Sequence, residues 1–310
     1  MPEPFQPESL ISALRPLAAA SHLTAAEQGY RRFYGFRENV ARTSRMGQIQ
    51  AGDYQIAVQA WWPEEPRATL IVLHGYYDHG GLYRHVVEWA LALGFAVLSF
   101  DLPGHGLSSG PRASINDFAE YQTVLQAVLA QAGELQLPRP WHLFGQSTGG
   151  AILIDYLLNG EPAENVGETI LMAPLVRPRA WNWSKLSYHV MRNFVSEIPR
   201  RFSVNSTDSA FIDFVHNHDP LQPRMLPTAW VGALSRWVPR IESAGRSQRR
   251  PLIVQGEQDM TVAWQHNLEV LQDKFAKPEI LRLSEARHHL SNELPEFRER
   301  FFGFLSEHLR

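Results

Sequence analysis

Short apolar runs alternate with amphipathic stretches along the middle of the chain, between residues 69 and 173. The runs are almost uniformly apolar, which is typical of strands that are buried on both faces of a parallel sheet. The predicted strands are residues 69–73, 95–100, 142–144 and 168–173, and the predicted helices are residues 83–93, 116–131 and an apolar helix that ends near residue 158. Such alternation predicts an α/β architecture with a mostly parallel, doubly wound sheet.

The alternation stops between residues 175 and 250, where aromatic residues are scattered among prolines and arginines. We interpret this stretch as a helical cap inserted between two strands of the sheet. Further strands are predicted at residues 53–62, 251–255 and 279–283, with helices at 263–275 and 295–309. Residues 1–50 form a lead-in of undefined structure. The prediction is one α/β domain over residues 1–310 that carries a cap, or lid, at 175–250.

The composition excludes several classes of protein. With 44% apolar residues among 310, the chain can bury a substantial core, and without cysteine it has no disulfide, thiol nucleophile or thiolate metal site. A net charge of −3 gives no general basis for nucleic-acid binding. No run approaches the roughly 18 apolar residues of a membrane span. We therefore expect a soluble, cytoplasmic protein with no nucleic-acid partner, and the sequence leaves its oligomeric state open.

The sequence also predicts neither a cofactor nor a metal. Most of the 13 histidines are scattered, and we find no helix with paired ligands at a spacing that suits a metal ion. No predicted strand is followed by the glycine pattern of a dinucleotide site or by a phosphate-binding loop.

Charge is distributed unevenly between the predicted cap and the rest of the chain. Residues 175–250 hold 12 basic and 5 acidic side chains, a net charge of +7, which leaves a net charge of −10 on the remainder. The simpler interpretation is that the arginines are solvated or paired with the domain below. The alternative is that the cap attracts an anionic head group, or makes transient contact with a membrane or micelle surface.

Ser147 lies in the turn between a predicted strand and an apolar helix, within Gly145-Gln-Ser-Thr-Gly149. A strand that runs directly into a helix through such a turn strains its central residue, and glycines two residues away on either side leave room for it. The hydroxyl then stands beside the amino end of the helix, where backbone N–H groups favour negative charge. The pattern predicts a serine nucleophile that attacks a carbonyl; an incidental serine in a glycine-rich turn is the alternative.

Two later strand ends carry an acid and an imidazole. Asp259 follows the predicted strand 251–255, and both His288 and His289 follow the strand 279–283. A serine needs an imidazole to accept its proton, and the imidazole needs a carboxylate to hold its tautomer. The order serine, acid, histidine fits successive strand ends of this architecture. Helix capping is the alternative role for Asp259, Glu257 is the weaker alternative acid, and the residues alone do not decide between the two histidines.

A polar, glycine-rich loop follows the predicted strand 69–73, which suits a ligand site at the carboxyl end of a buried strand. We expect the backbone N–H of Tyr76 in this loop to stabilise an oxyanion. The second donor is expected to be the backbone N–H of Thr148, directly after the serine.

Four other polar residues on these loops are candidates for chemistry. Asp101 and His105 resemble a catalytic pair, but glycine and proline dominate their loop, so we favour a role in stabilising the turn. His74 and His79 are interpreted as residues that order the loop after strand 69–73.

The chain carries HGYYDHGGLYRH, DLPGHGLSSGPR, GQSTGG, QGEQDMTV and ARHHLSNE in this order. Together these motifs resemble the α/β-hydrolase superfamily and, within it, the monoacylglycerol lipase and lysophospholipase group, also called serine aminopeptidase-like hydrolases. The similarity runs from about residue 53 to the end and is weakest in the cap. The resemblance implies that His288, which begins the H-x-L-x-x-E segment, is the catalytic histidine, with Asp259 as the acid. It maps the first oxyanion donor to Tyr76, where lipase relatives often carry a small residue.

These observations predict a cofactor-free hydrolase that cleaves carboxylic esters through an acyl-enzyme, with Ser147, His288 and Asp259 as its catalytic residues. The aromatic cap favours an apolar acyl chain, so monoacylglycerol and lysophospholipid are the candidate small-molecule substrates. The same fold and residues also serve peptidases, amidases, lactonases and carbon–carbon hydrolases. A non-catalytic ligand-binding protein on a hydrolase scaffold is the alternative from another class.

Overall fold

A computed structural model describes residues 5–38 and 40–309 of the chain; residues 1–4 and 39 of the predicted lead-in, and residue 310, lie outside the described residues. The strands are β1 (Thr43–Ala51), β2 (Tyr54–Trp62), β3 (Ala68–Leu73), β4 (Phe95–Phe100), β5 (Trp141–Gln146), β6 (Val166–Met172), β7 (Glu197–Pro199), β8 (Met225–Pro227), β9 (Leu252–Gly256) and β10 (Glu279–Leu283). The α-helices are α1 (Pro7–Ala13), α2 (Ala25–Phe33), α3 (Arg84–Ala92), α4 (Phe118–Glu134), α5 (Thr148–Asn159), α6 (Trp181–Met191), α7 (Ser209–Asp213), α8 (Thr228–Glu242), α9 (Trp264–Lys274) and α10 (Pro295–His308).

Eight of these strands form one sheet in the order β1-β2-β4-β3-β5-β6-β9-β10. Neighbouring strands from β4 to β10 run parallel, whereas β1 pairs with β2, and β2 with β4, in antiparallel fashion. Every residue of β3, β4 and β5 is buried. Helices α4, α5 and α9 pack on one face of the sheet, and α2, α3 and α10 pack on the other. The predicted mostly parallel, doubly wound sheet is confirmed.

The edge strand β1 lies almost entirely within residues 1–50, for which the sequence indicates no strand. It pairs with β2 over its whole length, from Thr43 opposite Trp62 to Ala51 opposite Tyr54. An edge strand needs few apolar residues, because it is not covered in the way that a central strand is. Its sequence therefore lacks the continuous apolar run that marks the strands at the centre of the sheet.

Residues 175–250, which we call the cap segment, leave the sheet after β6 and return to it at β9. The segment contains α6, α7 and α8, together with a π-helix at Phe214–His218 and a ribbon in which β7 pairs with β8. The helical content was expected but the ribbon was not. Each of its strands is three residues long and contains a proline, so neither shows a strand pattern in the sequence.

The helices of the cap segment differ in how they contact the rest of the chain, which we call the base domain. On α8, the Trp237 ring stacks on Phe118 of α4 at 4.7 Å, and its Nε1–H donates to the buried Asp155 of α5 at 3.1 Å. On α6, by contrast, Trp183 is 70% exposed. Helix α8 is therefore one anchor of the cap segment, and the buried Trp181 at the start of α6 is another. Within the described ranges, no helix combines the length and apolar character that a membrane crossing requires.

Candidate active site

Ser147 occupies the sharp turn between β5 and α5, with φ of 51° and ψ of −108°. This backbone conformation is rare for a residue with a side chain and is retained only where the surroundings impose it. A Cβ at Gly149 would lie 2.3 Å from the Leu73 carbonyl oxygen, and one at Gly145 would lie 2.5 Å from the Gly149 backbone. The two glycines allow α5 to begin directly against the sheet, so the turn holds Ser147 above the strand ends.

Three predicted residues form a continuous row of hydrogen bonds. The Ser147 Oγ lies 3.0 Å from His288 Nε2, and His288 Nδ1 lies 2.6 Å from Asp259 Oδ2. With a proton on Nδ1, the imidazole donates to the carboxylate and accepts from the serine hydroxyl. The residues come from loops after β5, β9 and β10, which end at the same edge of the sheet. The structure therefore brings Ser147, Asp259 and His288 together.

The Asp259 carboxylate and the His288 imidazolium each stabilise the charged form of the other. Burial disfavours the charged imidazolium of His288, but the Asp259 carboxylate outweighs it, so the pKa of His288 is raised. Burial also disfavours the Asp259 carboxylate, but His288 and the N–H groups of Val262 and Thr261 outweigh it, so the pKa of Asp259 is lowered. Asp259 accordingly remains ionised and stabilises a protonated His288.

The predicted oxyanion donors lie on either side of Ser147. Thr148 is the first residue of α5, and a Cβ at Gly75 would lie 3.5 Å from the Ser147 Cβ, which places the following Tyr76 beside the serine. Neither the Tyr76 nor the Thr148 amide N–H donates a hydrogen bond to another group in the part of the chain that the structure describes. Two free N–H groups next to a nucleophile suit an oxyanion.

The bulky side chain of Tyr76 is accommodated by the cap segment. Its ring stacks on Trp230 of α8 with 3.8 Å between centroids, and its hydroxyl donates to the Ala113 carbonyl at 2.7 Å. These contacts hold the large side chain in place. They also link the loop after β3 to the cap segment. We call this loop, residues 74–81, the oxyanion loop, because it carries the predicted donor Tyr76.

Asp101 and His105 lie outside the serine–histidine–aspartate row. The Asp101 carboxylate accepts from the Gly80 N–H at 2.6 Å and the Leu107 N–H at 2.8 Å. His105 Nδ1 lies 2.8 Å from the Pro103 carbonyl oxygen within its own loop. Both residues order turns, as the sequence favoured.

His74 and His79 also order loops. His74 Nε2 accepts from the Leu102 N–H at 2.9 Å, which ties the loops after β3 and β4 together. His79 Nε2 lies 3.0 Å from Asp219 in the cap segment, and both side chains are fully buried. Burial disfavours the charged form of His79, but Asp219 outweighs it and raises the pKa of His79.

His289 faces a different carboxylate from its neighbour His288. Its Nε2 lies 3.1 Å from Asp78 Oδ2, and Asp78 also accepts from the Tyr83 hydroxyl at 2.9 Å. Burial disfavours the Asp78 carboxylate, but His289 and other neighbours outweigh it and hold the pKa of Asp78 well below its usual range. The alternative acid Glu257 lies 3.9 Å from Arg282 and does not contact His288.

Asp78 was not singled out by sequence analysis, although it lies within the oxyanion loop. Its negative charge also contributes to raising the pKa of His288. The only signal in the sequence is an acidic residue between aromatic and histidine residues in that loop, and this does not reveal a charge beside the serine–histidine–aspartate row. In the described part of the chain, no group of three or more acidic or histidine side chains is arranged to hold a metal ion.

Comparison with known proteins identifies the family. Residues 64–295, well over half of the chain, match the family model described as Serine aminopeptidase, S33. The chain belongs to this family. Its membership confirms the prediction that the chain is an enzyme of the hydrolase class, and the resemblance to serine aminopeptidase-like hydrolases is confirmed with it.

Several of the curated proteins that this chain resembles are lipases by name. Monoglyceride lipase of Mus musculus is 28% identical over 263 residues, which is 80% of this chain and 84% of that protein. Monoacylglycerol lipase of Mycolicibacterium smegmatis is 32% identical over 106 residues, only 34% of this chain and 38% of that protein. The chain is therefore a monoacylglycerol lipase-like member of the S33 family.

The fold agrees with solved structures. A soluble variant of monoglyceride lipase from Saccharomyces cerevisiae, in complex with a substrate analog, has a TM-score of 0.74 at 17% identity, covering 88% of this chain and 97% of that one. At this level of identity the likeness concerns the fold alone. It confirms the predicted α/β-hydrolase fold.

Proposed function

We propose that this S33-family chain hydrolyses carboxylic esters, with Ser147, His288 and Asp259 as its catalytic residues. The observation that carries the proposal is the row of hydrogen bonds, 3.0 Å from Ser147 to His288 and 2.6 Å from His288 to Asp259. A serine hydroxyl is a weak nucleophile near neutral pH, and this arrangement supplies the base that activates it.

The mechanism proceeds through an acyl-enzyme. Ser147 Oγ attacks the ester carbonyl carbon while His288 Nε2 takes the hydroxyl proton, and the N–H groups of Tyr76 and Thr148 stabilise the oxyanion. The carbon–oxygen bond to the alcohol then breaks, and His288 gives its proton to the departing alcohol. In the second half, His288 takes a proton from water as the water attacks the acyl carbon. The acid leaves, and the proton returns to Ser147.

The substrate that we favour is a lipid-like ester with one acyl chain, of the monoacylglycerol or lysophospholipid class. The names of the lipase relatives support this proposal. Aromatic side chains of the cap segment support it as well, because Trp230 packs against the oxyanion loop through Tyr76. An apolar surface of this kind, close to a few polar groups, suits an acyl chain.

We further propose that the cap segment acts as a lid and makes transient contact with a membrane or micelle surface. Around α6, the side chains of Trp183, Leu186, Val190 and Phe194 are exposed, with Phe194 exposed over 84% of its area. Apolar side chains grouped on a surface favour contact with lipid, and the basic charge of the segment favours anionic head groups. A cytoplasmic location stays a prediction of the sequence.

The proposed function is tested with Ser147→Ala. We expect the variant to lose turnover of p-nitrophenyl esters and labelling by a fluorophosphonate probe, with its fold unchanged by circular dichroism. Ser12→Ala, at an exposed site on α1, is the control and should keep both activities. Undiminished ester turnover by Ser147→Ala would overturn the proposal.

A second candidate function is hydrolysis of amides, which the description of the family as serine aminopeptidases favours. The same row of residues serves amides, lactones and certain carbon–carbon bonds. Comparing kcat/KM for a panel of acyl esters with that for aminoacyl amides separates the two candidates. A wild-type chain that fails to label with fluorophosphonate would instead favour a non-catalytic ligand-binding protein.

A further inference from the structure

One stretch of the cap segment runs alongside the loop that carries His288. We call residues 204–208 the strap and residues 287–293 the histidine loop. The strap and the histidine loop are joined by Arg287 Nη1–H to the Val204 carbonyl at 3.1 Å, His289 N–H to the Asn205 carbonyl at 2.7 Å, and Ser206 Oγ–H to the Asn292 carbonyl at 2.7 Å. Hydrogen bonds therefore run along the whole histidine loop, from its first residue to its end.

Glu293 provides the centre of this contact. Its side chain is fully buried. One carboxylate oxygen accepts from the Arg287 N–H at 2.6 Å, and the other accepts from the Thr207 N–H at 2.6 Å and lies 3.3 Å from the Ser206 Oγ, whose proton is directed at the nearer Asn292 carbonyl. The Thr207 hydroxyl also donates to the second oxygen. A single carboxylate thus ties the residue immediately before His288 to the strap.

All donors to Glu293 are neutral groups. No cationic side chain within the described ranges lies close enough to Glu293 to form an ion pair. A buried carboxylate without a cation is retained only when hydrogen bonds satisfy both oxygens. A glutamine at this position would turn one acceptor into a donor that faces another N–H or hydroxyl. The site therefore requires a carboxylate rather than merely a polar side chain of this size.

The histidine loop is held from a second side, close to the nucleophile. Gln146, the residue before Ser147, donates from Nε2 to the His288 carbonyl at 2.9 Å. The backbone on one side of His288 is thus fixed to Glu293 through Arg287, and its carbonyl is fixed beside the turn of Ser147. Movement of the strap would disturb Glu293 and its hydrogen bond to the Arg287 N–H. It would leave the hydrogen bond from Gln146 to the His288 carbonyl in place.

We propose that Glu293 is a positioning residue, through which docking of the strap on the histidine loop aligns His288 with Ser147. The inference rests on the proposed function of these two residues. On this proposal the cap segment helps to align the catalytic residues, in addition to acting as a lid over them. Residues 204–208 remain docked during turnover, and opening of the lid is confined to α6 and its flanks, where apolar side chains are exposed.

The test compares Glu293→Gln with Asp155→Asn. Asp155 is a matched control, because it is also a buried carboxylate that ties the base domain to the cap segment, through Trp237 and Arg240 of α8. We expect both variants to lower the melting temperature. Only Glu293→Gln should lower kcat and the rate of fluorophosphonate labelling, by ten- to a hundredfold, with KM changed by less than threefold, because misalignment by about 1 Å is costly to the chemical step.

A folded Glu293→Gln variant whose kcat and labelling rate lie within twofold of those of Asp155→Asn would overturn the proposal. If Glu293→Gln does not fold, Thr207→Val decides instead, because it removes one hydroxyl donor and keeps the Thr207 N–H. We expect a three- to tenfold loss of kcat at unchanged KM for Thr207→Val. No loss would overturn the proposal.

A spectroscopic measurement separates this proposal from the proposed function. The proton between His288 Nδ1 and Asp259 gives a downfield proton resonance that reports the alignment of the imidazole whether or not an ester is turned over. If the wild-type chain hydrolyses no ester, the proposed function is wrong. The resonance should still shift or broaden in Glu293→Gln and persist in Asp155→Asn, and an unchanged resonance in Glu293→Gln would overturn the positioning role.

Discussion

Ser147 and His288 depend on their neighbours for the properties that the proposed catalysis requires. The positive φ of Ser147 is imposed by the glycine-flanked turn, which raises the hydroxyl toward the imidazole. His288 is buried, which by itself would favour a neutral ring, and the Asp259 carboxylate reverses that preference. A base of raised pKa accepts the serine proton more readily, but it must be neutral to do so.

This balance predicts how the pH profile responds to Asp259→Asn. A raised pKa of His288 places the acid limb of kcat/KM above the pH at which an unperturbed histidine would titrate, about 6.5. Removing the carboxylate leaves burial opposed only by the smaller effect of Asp78, so the acid limb should move to lower pH. The maximal kcat should fall by about 10³- to 10⁴-fold, because the imidazole loses the group that orients it.

The measurement is kcat/KM for a p-nitrophenyl ester between pH 4 and 9, with Glu257→Gln as the control acid in the same loop. The control should keep the wild-type profile. An acid limb of Asp259→Asn that stays at the wild-type pH would show that another group sets the ionisation of His288.

At the scale of elements, the turn between β5 and α5 is the part of the site that local sequence specifies most completely. Its glycines are required because backbone atoms approach them closely, as the 2.3 Å separation between a Cβ at Gly149 and the Leu73 oxygen shows. By contrast, β1 and the β7–β8 ribbon were not predicted. Their residues do not form the apolar runs that central strands need, and their strand conformation depends on pairing with partners.

Gly149→Ala should therefore destabilise the protein. We expect a loss of about 2 kcal/mol or more in the free energy of unfolding, because the new methyl group meets backbone atoms that cannot move aside. Ester turnover should fall as the turn shifts. Denaturant unfolding followed by circular dichroism measures the first effect.

Gly303→Ala is the matched control, since a Cβ at this exposed position of α10 meets no atom within 4 Å. Alanine is the better helix former, so this change should stabilise the chain by about 0.5–1 kcal/mol. Equal stability of the two variants would contradict the steric account of Gly149.

At the scale of the whole molecule, a basic cap segment lies over an acidic base domain. Charge contributes to the contact between them: Arg240 of α8 lies 3.0 Å from the buried Asp155 of α5. Other attachments are the Tyr76–Trp230 stack, the His79–Asp219 pair and the strap at Glu293. Each attachment reaches a loop or helix next to Ser147 or His288. Helix α6 is buried only at its first residue, Trp181, and the exposed apolar side chains lie beyond it.

The exposed side chains around α6 predict how the protein associates with lipid. Replacing both Trp183 and Phe194 with serine should weaken binding to phosphatidylglycerol-containing vesicles by about tenfold or more, because each buried aromatic contributes about 1.5 kcal/mol or more. Turnover of a short, water-soluble ester should not change. Vesicle flotation measures the binding. Ile11→Ser, at an exposed apolar position on α1, is the control, and equal binding by all three proteins would contradict lipid contact through the cap segment.

The sequence by itself determined the central strands, the turn at Ser147 and the loops that carry Asp259 and the two histidines, because each is encoded in adjacent residues with a strong local preference. The residues alone left open which histidine contacts Ser147, and the family resemblance implied His288; the tertiary structure places His288 there, since the two consecutive histidines differ in the partners that packing brings to them. It also brought Asp78 beside His289 and Glu293 beside the strap. Their charges act across contacts between distant parts of the chain, and no local pattern encodes such contacts.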